Sequence, residues 1–321
     1  MDIGLNNLNN ITFNGNEVQT LIYNGVTLWT KGPAPHDYSQ DYLTFNILSN
    51  GTIGWKLKGS SNSKTIQYSK NNGETWTNLV ANTSGVTINV TTGDTVLFKG
   101  TNTSYASSPT NYYNYFTSTC DFEVSGNIMS LIYGDNFIGQ TTLTAAYTFN
   151  RLFLSCSKLL SVDNLILPAT TLTDRCYMRL FNDCTGLTKG PVLPATTLVN
   201  GCYLAMFYGC TGLTQAPKLP ATTLVSSCYG NMFYSCTSLT TAPELPATTL
   251  VTGCYDQMFW GCTNLNYVKA MFTTTPGTSY TPNWLSGVAA TGTFVKNSAA
   301  TWNVTGVNGI PTGWTIETAA S

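Results

Sequence analysis

The sequence predicts a multidomain, mainly β protein in which a small N-terminal β-meander and a β-sandwich precede a short stack of repeated units. Asn-Gly pairs separate short apolar runs near the N-terminus, and alternating apolar and polar residues indicate strands up to about residue 137. One 26-residue phrase then recurs from Leu167 onward. The predicted divisions are residues 1–30 for the meander, 31–40 for a linker, 41–137 for the sandwich, 138–268 for the repeats and 269–321 for a C-terminal cap.

Residues 1–30 are predicted to form the meander, with two-residue turns at Asn14-Gly15 and Asn24-Gly25. Thirty residues cannot bury enough apolar surface by themselves, so we expect this segment to dock on another surface. That surface is either the next domain of the chain or a partner protein. The candidate anchoring residues are Phe13, Val18, Leu21, Tyr23, Val26 and Trp29.

Residues 41–137 are predicted to form a β-sandwich. Leu43, Phe45 and Ile47 alternate with polar neighbours, and short strands separated by turn residues fit a sandwich of the immunoglobulin-like type. The pattern Ser69-x-Asn71-x-Gly73-x-x-Trp76 resembles the Asp-box hairpin of sialidase-like propellers. It occurs once, with Asn where Asp is usual, and we interpret it as a hairpin whose tryptophan packs into the core.

The segment 101–117 is rich in tyrosine, serine, threonine and asparagine, a mixture that recurs in binding loops. Rigid aromatic rings provide contact area at low entropy cost, while small polar groups adapt their hydrogen bonds. Two interpretations stay open: contact with a ligand or partner, or packing of two of the tyrosines on the sandwich edge. The candidate residues are Tyr105, Tyr112, Tyr113 and Tyr115.

The repeats begin LPATTL at Leu167, Leu193, Leu219 and Leu245, and a phrase of the form CYxxMFxxCTxL follows in each copy, with Leu for Met in the first. An imperfect earlier copy starts near Phe137. Cysteine, methionine and cysteine recur four residues apart, which predicts a short helix after a short strand and a turn. The apolar side of each unit can be covered only by the next copy.

The phrase CTxLTxAPxLP followed by MFxxC resembles the leucine-rich repeats of the BspA type, over about residues 138–300. The 26-residue period is longer than is usual in that family. The resemblance implies a right-handed solenoid with a narrow parallel sheet along one face. The C-terminal segment resembles the cap that follows such repeats in Bacteroidales surface and phage proteins.

Eight of the ten cysteines occupy two fixed positions of the repeat, from Cys176 to Cys262. Eight residues along a helix span about 12 Å, too far for a disulfide, and the single histidine leaves no zinc-ligand set. We therefore expect a core ladder of free thiols. Positions that differ between copies are expected to be exposed, and Tyr208, Tyr234 and Trp260 form such a row. It could stack sugar rings or partner side chains, or it could be packing between successive helices.

Charged residues make up only 9% of the chain and the net charge is −1, so nucleic-acid binding is not expected. No apolar run is long enough to span a membrane. The start lacks an export signal, and no arrangement of catalytic, cofactor-binding or metal-binding residues stands out. We expect a non-enzymatic protein without cofactor or metal.

The N-terminal segment resembles short modules at the start of phage structural proteins. The sequence interpretation is an accessory or fibre-like virion protein that is anchored to other virion proteins by its N-terminus. It would display the repeats to a host surface protein or glycan, with self-association as a further expectation. The alternative is a BspA-like adhesin on the bacterial cell surface.

Overall fold

The computed structural model describes residues 11–13, 16–18, 20–23, 26–30, 36–108 and 110–319, and the fold is mainly β. Two compact units are present, Met1–Asp37 and Tyr38–Ser321. Helical conformation in the described residues is limited to α1 (Ser130–Tyr133) and two 3-10 turns. The strands are β1 (Ile11–Phe13), β2 (Asn16–Val18), β3 (Thr20–Tyr23), β4 (Val26–Thr30), β5 (Leu43–Ile47), β6 (Gly51–Lys58), β7 (Thr65–Ser69), β8 (Thr77–Val80), β9 (Val86–Val90), β10 (Thr95–Lys99), β11 (Tyr113–Ser118), β12 (Phe122–Asn127), β13 (Leu159–Ile166), β14 (Tyr267–Ala270), β15 (Thr293–Lys296) and β16 (Thr315–Thr318).

The first unit contains two antiparallel hairpins, β1–β2 and β3–β4. The predicted turns at Asn14-Gly15 and Asn24-Gly25 lie outside the described residues. The strand register nevertheless leaves two residues for each turn, the length that Asn-Gly favours. The sequence predicts one meander, whereas the described residues form two separate two-stranded sheets.

The second unit begins with two sheets around an aromatic core. The larger sheet has the order β13-β12-β5-β10-β7-β8, and the smaller has the order β11-β6-β9. Phe45 of the larger sheet lies 4.8 Å, centroid to centroid, from Phe116 of the smaller, which in turn lies 4.9 Å from Trp55. The alternating Leu43, Phe45 and Ile47 of β5 are all buried, as predicted. The aromatic rings therefore fill the space between the sheets.

The Asp-box-like segment forms the turn between β7 and β8, as predicted. Ser69 Oγ accepts from the Gly73 N–H at 2.9 Å, and Asn71 Oδ1 accepts from the Thr75 N–H at 3.0 Å. The prediction that Trp76 packs into the core is wrong. Trp76 precedes the edge strand β8 and stays partly exposed, with the Lys99 ammonium 4.1 Å from its ring centroid.

The predicted short helix in each repeat is also wrong, because every second N–H bonds to the next copy. Leu204 donates to the Gly201 carbonyl at 3.1 Å, which closes a local turn. The preceding residue, Tyr203, donates to the Cys228 carbonyl 25 residues later, at 3.1 Å. The alternation continues along the segment and is repeated in the other copies. An α-helix would use these N–H groups internally and leave none for the neighbouring copy.

Backbone torsions show why the helical spacing of the sequence is misleading. The φ angles of Gly201, Ala205 and Gly209 are +59°, +54° and +71°, so the chain enters the left-handed region at every fourth residue. L-residues avoid sustained left-handed helix, and each such residue is instead the third residue of a four-residue turn, as Ala205 is in the turn that the Met206 N–H closes on the Tyr203 carbonyl. A period of four thus arises from consecutive turns.

Prolines prevent the predicted strand in each repeat from forming a continuous sheet. In the copy from Leu219, Pro217 and Pro220 flank the extended segment and cannot donate to a ladder. In these extended segments, the described residues of successive copies are joined by isolated parallel bridges, such as Lys189 to Gln215. Regular strands are found at the two ends of the repeats, where β13 pairs in parallel with β12 of the sandwich and β14 pairs in parallel with β15.

Equivalent side chains of successive copies stack directly on one another in the core. Tyr177, Tyr203 and Tyr229 stack with centroids 5.8 and 5.9 Å apart and nearly parallel rings. A second ladder runs through the buried phenylalanines, and the imperfect first copy joins it, as Phe153 lies 5.5 Å from Phe181. Each copy is thus covered by its neighbours, as the 26-residue period predicts.

All ten cysteines are described, unpaired and buried, so the predicted free-thiol ladder is confirmed. In one of the two rows the thiol also makes a hydrogen bond across copies: Cys210 Sγ donates to the Phe181 carbonyl at 3.0 Å. Burial raises the pKa of Cys202 and of Cys228 to about 12. These thiols are therefore neutral, inert packing groups at physiological pH.

The C-terminal segment continues the stack. β14, β15 and β16 form a parallel three-stranded sheet. Trp284 is fully buried and its indole N–H donates to the Gly309 carbonyl at 2.8 Å, while Trp302 stacks on Phe272 at 5.2 Å. The last apolar face of the repeats is therefore covered by tryptophan, which is the role of a cap.

Candidate functional site

The predicted anchoring residues lie in the first compact unit. Val18 and Leu21 are partly exposed, at the end of β2 and within β3. Docking through this unit stays a prediction. The other anchoring residues belong to described strands, but their side chains fall outside the described part of the structure: Phe13, Tyr23, Val26 and Trp29.

The prediction that Tyr105 contacts a ligand is wrong. Its side chain is fully buried, its hydroxyl donates to the Leu131 carbonyl, and its ring lies 5.5 Å from Trp55. Tyr105 is thus a structural residue of the aromatic core, whereas the alternative interpretation expects packing on the sandwich edge.

Contact with a ligand is also excluded for Tyr113, because this first residue of β11 is buried. Phe116 and Asn114 of that strand are fully buried, whereas Tyr113 and Tyr115 point to the opposite face. The guanidinium of Arg151 lies 5.0 Å from the Tyr113 ring centroid, and Tyr113 is buried beneath it. Tyr115 is partly exposed, and burial, followed by the nearby Tyr113, raises its pKa.

Tyr112 is the most exposed of the four tyrosines, with 37% of its surface accessible. Its ring packs against Gly59, where φ is +89° and an added Cβ would lie 2.5 Å from the ring. The same Cβ would lie 2.6 Å from the Asn111 carbonyl oxygen, so only glycine allows this close contact. Of the four tyrosines, Tyr105 contacts the aromatic side chains of the repeats, because its ring stacks on Phe149 of the first copy with centroids 6.4 Å apart.

Tyr208, Tyr234 and Trp260 form what we call the aromatic row. The ring centroids of Tyr208 and Tyr234 are 4.4 Å apart at an angle of 5°, and those of Tyr234 and Trp260 are 4.5 Å apart at 16°. The rings stack face to face because they occupy equivalent positions in successive turns. Tyr234 therefore has both faces covered, and the row is not a continuous platform for sugar rings.

The C-terminal end of the aromatic row presents a free aromatic face. Trp260 is 38% exposed, and its ring contact is with Tyr234 on one side. In the next turn, Ser286 holds the position of Trp260 and Gly287 follows it, so no ring continues the row. The Gly261 N–H donates to the Ser286 carbonyl at 2.8 Å, which aligns the two turns. Trp260 is thus the residue of the row that is best placed to stack on an incoming group.

The other end of the row is closed by Asn182, which holds the same repeat position as Tyr208, and by Arg179, which the sequence interpretation missed. The Arg179 guanidinium lies 5.8 Å from the Tyr208 ring centroid, and Asn182 Nδ2 donates to the Tyr208 carbonyl at 3.2 Å. Arg179 follows Arg151 by 28 residues, the spacing that also relates the other residues of the first two copies. This shared repeat position is the signal that could have identified it.

Charges around the aromatic row nearly balance. Burial raises the pKa of Asp183, and the nearby Arg179 charge partly offsets this effect. Arg179 and Asp183 therefore offset each other at the Tyr208 end of the row, which suits a ligand of low charge, held by stacking and hydrogen bonds.

Among the described residues, no group of three or more histidine, cysteine, aspartate or glutamate side chains could hold a metal ion. The described helices include none with the length and apolar character needed to cross a membrane. Comparison with protein-family models, with curated proteins and with solved structures gives no match. The functional interpretation rests on the residues and geometry of this chain.

Proposed function

We propose that this chain is a non-enzymatic adhesion protein whose repeats form a short BspA-type solenoid and display an aromatic contact site to a host surface protein or glycan. The single observation that carries the proposal is the free face of Trp260 at the end of the aromatic row. Exposure of a tryptophan face to water is energetically unfavourable, and such a face binds sugar rings and partner side chains well.

Two features support the solenoid interpretation. Side chains 26 residues apart stack in parallel, and every second N–H of the turn segment bonds to the next copy. The two packed sheets of residues 43–127 support an immunoglobulin-like sandwich, although a parallel β12–β13 pair extends the larger sheet into the repeats.

The proposal places the protein on a virion, anchored to other virion proteins by its first unit, with self-association as an additional feature. Its support is the division of the chain at Asp37 and the partly exposed Val18 and Leu21. The alternative is a cell-surface adhesin of the bacterium itself. Binding to nucleic acid is not part of either proposal, because the chain has a net charge of −1.

The contact site is tested with Trp260→Ala. We expect binding of the fluorescently labelled protein to candidate host cells to fall about tenfold or more, since buried aromatic contacts dominate such interfaces. Val80→Ala, which truncates an exposed apolar side chain of β8 on the sandwich, serves as the control. Treating the cells with protease or with periodate separates a protein receptor from a glycan. Unchanged binding by Trp260→Ala would refute the contact site.

The location is tested by deleting residues 2–30 and examining particles by cryo-electron microscopy. We expect the density of this protein to disappear from the virion while the remaining protein stays folded. Full occupancy of the truncated protein would refute N-terminal anchoring. Detection of the protein on uninfected cells, and not on particles, would favour the adhesin.

A further inference from the structure

A polar cavity of about 570 Å³ lies on the sandwich, within the size range of small-molecule sites. It is bounded by β7, β8, the end of β10 and the turn after α1. We call it the amide pocket. Six of its lining residues carry the argument: Gln67, Asn78, Lys99, Asn102, Tyr133 and Asp135.

One carboxylate is fixed at the rim of the amide pocket. Lys99 Nζ lies 2.7 Å from Asp135 Oδ1, and the Tyr42 hydroxyl donates to the same oxygen at 2.8 Å. Hydrogen bonds from Lys99 and then Tyr42 lower the pKa of Asp135, which stays ionised at neutral pH. Both bonds use Oδ1, so Oδ2 is an oriented, charged acceptor for a ligand hydroxyl.

Three side-chain amides in the pocket each use one polar atom in a hydrogen bond within the protein, which orients the amide, and each leaves its other polar atom for a ligand. Gln67 Nε2 donates to Asn78 Oδ1 at 3.1 Å, and Asn102 Nδ2 donates to the Thr65 carbonyl at 2.7 Å. Gln67 Oε1, Asn78 Nδ2 and Asn102 Oδ1 make no hydrogen bond to the described residues. The pocket therefore offers a donor beside two acceptors.

An aromatic ring forms part of the same wall. The Tyr133 hydroxyl donates to the Thr142 carbonyl at 2.7 Å, which holds the ring in place. The following residue, Gly134, has a φ of +55°, and its N–H donates to the Gly100 carbonyl at 2.8 Å. This glycine brings the turn next to the end of β10, so the ring and the carboxylate border one space.

We infer that the amide pocket binds a sugar unit of a neutral glycan. Adjacent hydroxyls of a sugar can donate to Asp135 Oδ2 and to the amide oxygens of Gln67 and Asn102, and accept from Asn78 Nδ2. The tyrosine ring covers the apolar C–H face. Lys99 and Asp135 neutralise each other, and Lys64 adds one cation to a lining that consists mainly of uncharged hydrogen-bonding groups. The inference depends on sandwich residues alone and is independent of Trp260.

The experiment uses the full chain and a panel of methyl glycosides: glucose, galactose, mannose, N-acetylglucosamine and glucuronic acid. Saturation-transfer NMR identifies the sugar that binds, and its affinity is then measured by titration. We expect Asp135→Asn and Asn102→Ala to weaken binding of the neutral sugar about tenfold or more, since each removes a hydrogen bond to the ligand. Glu74→Gln and Asn111→Ala are the controls, as both residues are exposed and lie outside the cavity.

Thermal melts of each variant establish that it is folded. Absence of binding by all five glycosides, binding of glucuronic acid only, or wild-type affinity in both pocket variants would overturn the inference. The Trp260→Ala protein should keep its affinity for the sugar. If only that variant loses binding, the site is on the repeats and the amide pocket is not a sugar site.

Discussion

The sandwich and the stacked repeats both bury aromatic cores, but they satisfy the backbone differently. In the sandwich, most strands pair with antiparallel neighbours, and the rings of Phe45, Phe98 and Phe116 meet at angles of 56° to 65°. In the repeats, N–H groups alternate between local turns and the next copy, and rings such as Phe207 and Phe233 lie 3° from parallel.

The difference shows what repetition imposes on a core. Identical side chains that are displaced by one copy must point the same way, so their rings stack in parallel. A non-repeating core can choose tilted ring geometries, which the aromatic quadrupole favours. Stacking of matching side chains therefore fixes how successive copies align. It requires the same kind of residue at the same position of every copy.

The largest expected difference between the two regions is their response to alkaline pH. Cys202 and Cys228 have a pKa of about 12 in the folded chain, while an unfolded thiol ionises near pH 9. The buried neutral thiols stabilise the folded chain fully below pH 9, and this contribution is lost as the pH rises towards 12. Over that range the free energy of unfolding falls by about 1.4 kcal/mol per thiol for each pH unit. Residues 41–137 contain one cysteine, Cys120. Urea denaturation at pH 7 and pH 10 should show a steep loss of unfolding free energy, and equal values would contradict the thiol ladder.

Truncating a ring of the phenylalanine ladder should have the next largest effect. Phe207 is fully buried between Phe181 and Phe233, with centroids 5.5 and 5.7 Å away. We expect Phe207→Ala to lower the free energy of unfolding by about 3–5 kcal/mol, because it leaves a cavity in the stack. Hydrogen exchange should show the loss of protection first in residues 167–265, whereas Phe45→Ala should expose the sandwich. Identical exchange patterns would show that the regions unfold as one.

The left-handed positions distinguish consecutive turns from a helix. Ser235 has a φ of +56°, and glycine stands at the equivalent positions 209 and 261. Ser235→Gly should therefore stabilise the protein by about 1 kcal/mol, and Gly261→Ala, with φ at +72°, should destabilise it by a similar amount. In an α-helix, glycine is the less favourable residue, so Ser235→Gly would destabilise the protein and Gly261→Ala would stabilise it. Chemical denaturation of the two variants gives the answer.

The smallest expected effect concerns the tyrosine ladder. The hydroxyls of Tyr177 and Tyr203 are buried without a hydrogen-bond partner among the described residues, unlike that of Tyr105 in the sandwich. We expect Tyr203→Phe to stabilise the protein by about 1 kcal/mol, since it removes an unsatisfied polar group without leaving a cavity. Tyr105→Phe should destabilise the protein by a similar amount. Equal shifts in the two denaturation midpoints would contradict this distinction.

Much of the core could be predicted from the sequence, because burial follows from the spacing of apolar residues. The alternation in β5 and the phase of Phe153 with Phe181 both appear in the structure. The candidate contact residues were harder to predict. Tyr105 and Tyr113 lie in a segment of binding-loop composition, yet one enters the sandwich core and the other lies beneath Arg151. Composition indicates which side chains can bind, but exposure depends on how distant segments pack.

By itself, the sequence determined the mainly β character, the 26-residue period and the set of side chains that form the core. Hydrophobic burial and the matching of copies act through residue type and spacing, and both can be read along the chain. Only the tertiary structure decided that consecutive turns replace helices and that Trp260 is the exposed end of the aromatic row. The physical reason is that every second N–H of the segment, including that of Ala205, bonds to a carbonyl 25 residues away and is not available to a helix. Such long-range pairing overrides local helical preference.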